Sequence, residues 1–309
     1  MRVIRGLHNL RAEHGGSVAT IGNFDGVHLG HQAVFRALQA EGRRLGVPAT
    51  VITFEPQPLE FFAPERAPSR LTRMREKLGA MRDAGVERVL ILEFGRRLAG
   101  MSAEAFIDTL LVERLAVAHL YVGDDFRFGH GRRGDVAMLR SAGERHGFTV
   151  DSMDTLAIDG ARVSSTRIRE SLARGDLEDA ARCLGRPYAI CGRVAHGDKR
   201  GRTIGFPTLN IDLHRRVSPL RGVFAVRVSG LGEVALPGVA NIGTRPTVAG
   251  DSRYLLEVHL FDFAREIYGA HLTVEFVGRI RDEKKFASFD ELKAQIQRDA
   301  ATARATLIH

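Results

Sequence analysis

Two imidazoles, His28 and His31, stand in the run Thr20-Ile-Gly-Asn-Phe-Asp-Gly-Val-His-Leu-Gly-His31. Residues 18–21 read as a buried strand and residues 29–45 carry the apolar spacing of a helix, so the pair falls at a strand-to-helix turn. There, helix amides and two imidazoles aimed at one point can stabilise the charge that builds on an α-phosphate when a phosphate nucleophile displaces pyrophosphate from ATP. Gly30 lets a nucleotide backbone approach where a Cβ would block it, and Asn23 and Asp25 can position phosphate and metal. His-x-Gly-His is short enough to arise without function. The same run also reads as a capped helix start with two surface histidines.

Two further segments carry related chemistry. In Arg162-Val-Ser-Ser-Thr-Arg-Ile-Arg169, hydroxyls precede a helical pattern running toward Ala173, with arginines in its first turn. The helix dipole favours Asp or Glu at that end, so arginines there point to an anion, and a triphosphate at Ser164, Ser165, Thr166 and Arg169 fits. An N-cap with solvated arginines fits as well. Gly123-Asp-Asp-Phe-Arg-Phe-Gly129 follows the strand-like Leu120-Tyr-Val-Gly123, and ligands of open α/β sheets bind at such carboxyl ends. Its aromatics can cover a flat ring or simply pack a Phe-rich turn.

Nearer the C-terminus, Gly197-Asp-Lys-Arg-Gly-Arg-Thr-Ile-Gly-Phe-Pro-Thr-Leu-Asn210 is a glycine-rich, basic loop ending in two polar side chains able to ligate a metal, Thr208 and Asn210. Backbone amides in such loops, here around Gly201, can wrap phosphates, although the spacing is not that of a Walker loop; a long basic β-hairpin is the other reading. In Leu255-Leu-Glu-Val-His-Leu-Phe-Asp262, a period of two puts Leu256, Val258 and Leu260 on one face and Glu257 and His259 on the other. By itself Glu257 reads as a solvent-facing carboxylate.

Together these segments resemble the prokaryotic bifunctional riboflavin kinase/FMN adenylyltransferases, the bacterial FAD synthetases. Thr53-Phe-Glu-Pro-Gln-Pro58, Leu71-Thr-Arg-Met-Arg-Glu-Lys77, Asn241-Ile-Gly-Thr-Arg-Pro-Thr247 and Arg279-Ile-Arg-Asp-Glu-Lys-Lys-Phe286 match too, so the resemblance covers essentially the whole chain. It implies that the N-terminal half joins FMN to AMP, with His28 and His31 stabilising the transition state. Asn23, Gly30, Ser164, Ser165, Thr166 and Arg169 would contact nucleotide there, Gly123, Asp125 and Phe126 the flavin side, and Gly201 the nucleotide of the C-terminal half. It further implies that the C-terminal half phosphorylates riboflavin with ATP. There Thr208 and Asn210 would help hold Mg-ATP, and Glu257 would act as general base toward the ribityl 5′-hydroxyl. Two positions depart from the family pattern: Gln57 stands where many members carry His, and Leu209 where many carry Ala.

The elements that must position these residues follow from patterning. A chain of 309 residues, 44% of them apolar, can bury a sizeable core and is expected to form two domains, 1–186 and 187–309. Strand-like segments at 18–22, 49–54, 87–93, 118–122 and 148–153 alternate with helices, which predicts an α/β, Rossmann-like doubly wound parallel sheet of the nucleotidyltransferase kind. Residues 171–184 read as one helix closing this part, ended by Gly185-Arg-Pro187. Beyond Pro187 the period changes. Strand character at 188–194, 222–228, 234–242, 254–261 and 271–277 predicts a small antiparallel β-barrel of five or six strands, with 288–306 a C-terminal helix packed on it.

A formal charge of +8 and a pI near 10.0 raise the question of nucleic acid. The basic residues are nevertheless spread in short pairs such as Arg43-Arg44 and Arg132-Arg133, without aromatic interleaving, so no nucleic-acid partner is expected. No apolar run approaches the roughly 20 residues of a membrane span, and the N-terminus lacks the apolar core of a signal peptide. The expectation is a cytoplasmic enzyme without a membrane partner, using Mg²⁺ and taking riboflavin, FMN and ATP. The two cysteines, Cys183 and Cys191, have neither metal-ligand spacing nor the density of a disulfide scaffold. Two rivals stay open: a nucleotidyltransferase acting on a pantetheine or nicotinamide substrate, which leaves the barrel unexplained, and a basic RNA-binding protein on a degenerate α/β scaffold.

Overall fold

In the computed structural model, which describes residues 1–153, 155–195, 206–213, 217–246 and 252–308, a parallel sheet comes first and an antiparallel barrel second. The sheet contains β1 (Arg2–Arg5), β2 (Ser17–Ile21), β3 (Ala49–Glu55), β4 (Arg88–Glu93), β5 (Val117–Val122) and β6 (Thr149–Ser152), in the order β1-β4-β3-β2-β5-β6. Its helices are α1 (Leu29–Leu45), α2 (Pro58–Phe62), α3 (Met74–Asp83), α4 (Arg96–Ala99), α5 (Ala103–Ala105), which runs on into a wider turn at Phe106–Arg114, and α6 (Val136–His146). A small hairpin, β7 (Ala157–Ile158) and β8 (Ala161–Arg162), follows.

Alternation along the central strands explains the two layers of helices. Ala19, Ile21, Ile52, Phe54, Leu90 and Leu92 pack into one core with Phe106, Leu110 and Leu139. Their strand neighbours Val18, Val51, Val89 and Ile91 pack into another with Phe35 and Leu38 of α1 and Met81 of α3. Strands covered on both faces read as apolar runs, as the sequence shows. Each fully buried Phe or Leu contributes about 1.5–3 kcal/mol. The chain leaves β2 toward β3 on one side, while β5 lies on the other, so the strand order reverses at β2 and opens a crevice at its carboxyl end. The edge strand β1 was not legible as a strand: Arg2 and Arg5 bracket only two apolar residues, and such charges blunt an edge.

The second unit begins with α7 (Ser165–Arg174) and α8 (Leu177–Leu184). The expected single helix at 171–184 is thus two, because Gly175 takes a left-handed φ of 77° that ends α7, and Asp176 caps α8. The barrel is closed by β9 (Ala189–Ala195), β10 (Leu209–Asp212), β11 (Gly222–Ser229), β12 (Leu236–Pro246), β13 (Ser252–Leu260) and β14 (His271–Arg281), in the order β10-β13-β12-β11-β14-β9. Helix α9 (Phe289–Leu307) covers Val223, Ala225 and Val239 with Ala300 and Ala303. Asp299, 4% exposed, is held by the Arg281 guanidinium at 2.7–3.0 Å, which fixes α9 to β14.

The compact units divide earlier than the change in hydrophobic period. One comprises Met1–Ala67 and Arg73–Val163, the other Pro68–Thr72 and Ser164–His309. Hydrogen bonds explain why α7 and a short upstream segment go with the barrel: Arg279 of β14 donates to the Arg174 carbonyl at 3.1 Å, and the Tyr188 hydroxyl donates to the Leu71 carbonyl at 3.0 Å. None of the described helices is long and apolar enough to cross a membrane.

Candidate active sites

In the first unit the loop after β2 carries His28 and His31. His28 is the N-cap of α1, and its Nδ1 accepts the His31 backbone N–H at 3.3 Å. In the neutral ring this places the proton on Nε2. The two imidazoles stack, with centroids 3.5 Å apart and planes 21° apart. Covering of its ring, then the His28 and Lys77 charges, pushes the His31 pKa well below 6.5. His31 Nδ1 is buried and has no hydrogen-bond partner among the described residues. A Cβ at Gly30 would stand 3.1 Å from His28 Cε1, so glycine there leaves the His28 ring its place. The N-terminus of α1 lies at the same spot and adds its amides and positive dipole end.

Other expected residues gather at the neighbouring strand ends. Asn23 lies two residues past the end of β2, its carbonyl accepting from Lys77 Nζ at 2.7 Å. Asp25 is buried. Gly123, Asp125 and Phe126 follow β5, the strand beside β2; Phe126 N–H donates to the Gly123 carbonyl at 3.0 Å, and the Phe126 and Phe128 rings stack at 5.6 Å. After β3, on the other side of β2, Gln57 is 7% exposed, and its Nε2 has no partner among the described residues. An orphaned buried donor at the carboxyl end of a central strand is what a ligand acceptor would satisfy.

Ser164, Ser165, Thr166 and Arg169 belong to the second unit. Ser164 caps α7, accepting the Arg167 N–H at 3.2 Å, and Ser165 and Thr166 open its first turn. Of the arginines expected to await an anion, Arg167 is committed to Asp179 of α8, and Arg169 donates through Nε to the Ser69 carbonyl at 2.6 Å.

The barrel brings the second set into one row. Asn210 of β10 and Glu257 of β13 are register partners, and Glu257 is also the partner of Asn241 on β12. Cross-strand partners project to the same face. Here that is the face opposite the buried Leu256, Val258 and Leu260. Asn210 is 8% exposed, and its Oδ1 has no partner among the described residues. An unpartnered carbonyl oxygen beside an exposed hydroxyl, Thr208, suits a hard cation such as Mg²⁺. Thr208 and Asn210 also line a cavity of about 340 Å³ with Phe263, Arg265 and Tyr268. Leu209, bulkier than the family's Ala, is half-buried and pairs with Val258. Gly201 and the rest of its loop, 196–205, lie outside the described residues.

Residues 10–167 match the family model for FAD synthetase, and residues 184–307 that for riboflavin kinase. The chain is 57% identical over 305 residues to the bifunctional riboflavin kinase/FMN adenylyltransferase of Escherichia coli strain K12, covering 98% of this chain and 97% of that protein. The chain belongs to this bifunctional family. Members from Pseudomonas fluorescens and Haemophilus influenzae are 54% and 50% identical, over 99% of this chain and 97% and 99% of theirs. A crystal structure described as a macrolide-efflux protein from Streptococcus pneumoniae shares the fold, with a TM-score of 0.82 at 30% identity over 98% of this chain and 99% of that one. Two residues that patterning did not single out stand beside the candidate site residues. Lys77 ends the segment Leu71–Lys77 but reads as a surface lysine in Arg-Glu-Lys, and Asn241 reads as a strand-end polar residue until register places it beside Glu257.

Proposed function

We propose that this chain makes FAD in two steps: ATP-dependent phosphorylation of riboflavin to FMN in the barrel, then adenylyl transfer from ATP to FMN with release of pyrophosphate at the sheet. The observation that carries the division is that the Asn210–Glu257 pair and the His28–His31 pair belong to different compact units.

In the first step the Glu257 carboxylate takes the proton of the ribityl 5′-hydroxyl as its oxygen attacks the γ-phosphorus of ATP, and ADP leaves. Phosphoryl transfer demands mainly positioning and charge neutralisation, and Mg²⁺ held by Thr208 and Asn210 would supply the latter. In the second step an FMN phosphate oxygen attacks the α-phosphorus, and the bond to the bridging oxygen of pyrophosphate breaks. His28, through Nε2, and His31 donate to the oxygens that gain charge, with the α1 amides behind them. Ser164, Ser165, Thr166 and Arg169 contact the triphosphate, and Gly123, Asp125 and Phe126 the flavin side. Asn23 and Gly30 complete the nucleotide contacts at this site, and Gly201, outside the described residues, is the nucleotide contact assigned to the kinase step. The boundary 186/187 divides the two activities, and a cytoplasmic location with riboflavin, FMN and ATP as partners is part of the same proposal.

Incubating the protein with riboflavin, ATP and Mg²⁺ and separating the flavins tests it. FMN should rise first and FAD follow. A salt-dependent shift of RNA with no ATP turnover would favour the nucleic-acid rival instead.

A further inference from the structure

Lys77, on α3, is fully buried, a place where an ammonium is rarely found without partners. Its Nζ donates to the Asn23 carbonyl at 2.7 Å, and Thr53 Oγ1 donates to the same oxygen at 3.3 Å. Asn23 opens the loop between β2 and α1, in which Phe24, Gly26 and Val27 have φ of 48°, 86° and 46°. Glycine accepts such a conformation; phenylalanine and above all β-branched valine are strained in it. A strained loop persists only where its surroundings over-determine it. The Asn23 carbonyl, with two side-chain donors, is one place where they do.

We propose that Lys77 is a positioning residue for adenylyl transfer, holding the strained loop 23–27 so that His28 and His31 meet the α-phosphate. This rests on the assignment of those two imidazoles made above. The Lys77 charge has a second consequence. The groups facing the His31 ring are His28 on the same turn, the Lys77 ammonium from α3, and the Phe24 ring edge-on at 5.2 Å. Covering of the ring, with the neighbouring His28 and the Lys77 ammonium, holds the His31 pKa well below 6.5, which favours the neutral ring that donates from one nitrogen. In sequence Lys77 lies on a helix remote from the histidines, and only the fold brings it to their loop.

The full-length protein carries the test. Lys77→Met removes donor and charge at similar length. It should lower kcat for adenylylation of supplied FMN at least tenfold, change KM for ATP less than kcat, and leave riboflavin phosphorylation at its wild-type rate. Lys77→Gln keeps an N–H for the carbonyl without the charge and should recover part of the lost kcat. In both variants the imidazole NMR titration of His31 should move to higher pH. His28→Ala and His31→Ala are the reference: if they leave FAD formation intact, the site assignment itself fails. If they abolish it while both Lys77 variants keep wild-type kcat and the wild-type His31 titration, the role of Lys77 is overturned. Should Lys77→Met not fold, the Gln variant decides on the same two readings.

Discussion

Asn210 and Glu257 stand directly opposite each other on β10 and β13, so a candidate cation ligand and a candidate base share one face of the barrel. Neighbouring strands lie about 4.8 Å apart, which brings the two side chains within reach of one phosphoryl group and its attacking hydroxyl.

Glu257→Gln should therefore stop riboflavin phosphorylation while supplied FMN is still adenylylated. The amide keeps size and register and cannot take the proton, a loss of roughly 10²–10⁴ in rate. Steady-state kinase rates at saturating Mg-ATP check this; near-normal turnover would reduce Glu257 to an ordinary strand carboxylate.

The converse holds at the other site. His28→Ala with His31→Ala should abolish FAD formation and leave FMN formation largely intact, each lost donor raising the barrier by about 3 kcal/mol. Gly30→Ala should act in the same direction, more weakly, with both imidazoles present, because the added Cβ stands 3.1 Å from the His28 ring, which must give by a few tenths of an ångström. Equal loss of both activities in a folded variant would refute the assignment of two sites.

Much of this was legible in the sequence, and the gaps have physical causes. Apolar runs gave β2 to β5 within a residue or so, since strands covered on both faces are mostly apolar, with few buried polar residues, among them the β-branched Thr20, Thr50 and Thr53. Residues 29–45 form a helix as their pattern required, and period two put Glu257 opposite Leu256 and Val258. Gly175 was lost inside an amphipathic stretch because the apolar stripe continues from α7 into α8. The places of Lys77 and Asn241 were invisible for a different reason. They depend on which backbone or strand stands next to them, and spacing along the chain carries no trace of that.

The first unit should lose stability on mild acidification. Burial holds the pKa of His14, His31 and His119 below 6.5, so the folded state excludes protons that the unfolded chain takes up. With the folded pKa depressed, nothing is lost above about pH 6.5, and stability falls as the pH drops from there toward each folded value. The slope is up to about 1.4 kcal/mol per pH unit for each imidazole. Calorimetry between pH 7.5 and 5.5, above the usual carboxylate range, should show the melting of this unit moving down; an unchanged or rising Tm would contradict the buried neutral rings.

Finally, a piece spanning 187–309 should fold and convert riboflavin to FMN and no further, because the closed barrel and the α9 contacts through Arg281 and Asp299 all lie within it. It lacks α7, α8 and the segment Pro68–Thr72, and so loses the bonds from Arg279 to the Arg174 carbonyl and from Tyr188 to the Leu71 carbonyl. A longer piece, 164–309, restores α7 and α8, whose Arg167–Asp179 pair stays intact, and should melt several degrees higher at equal kinase activity. Circular dichroism and flavin separation on the two pieces decide the matter. An unfolded 187–309 would move the working boundary back toward Ser164, and a folded one that makes FAD unaided would overturn the division of labour between barrel and sheet.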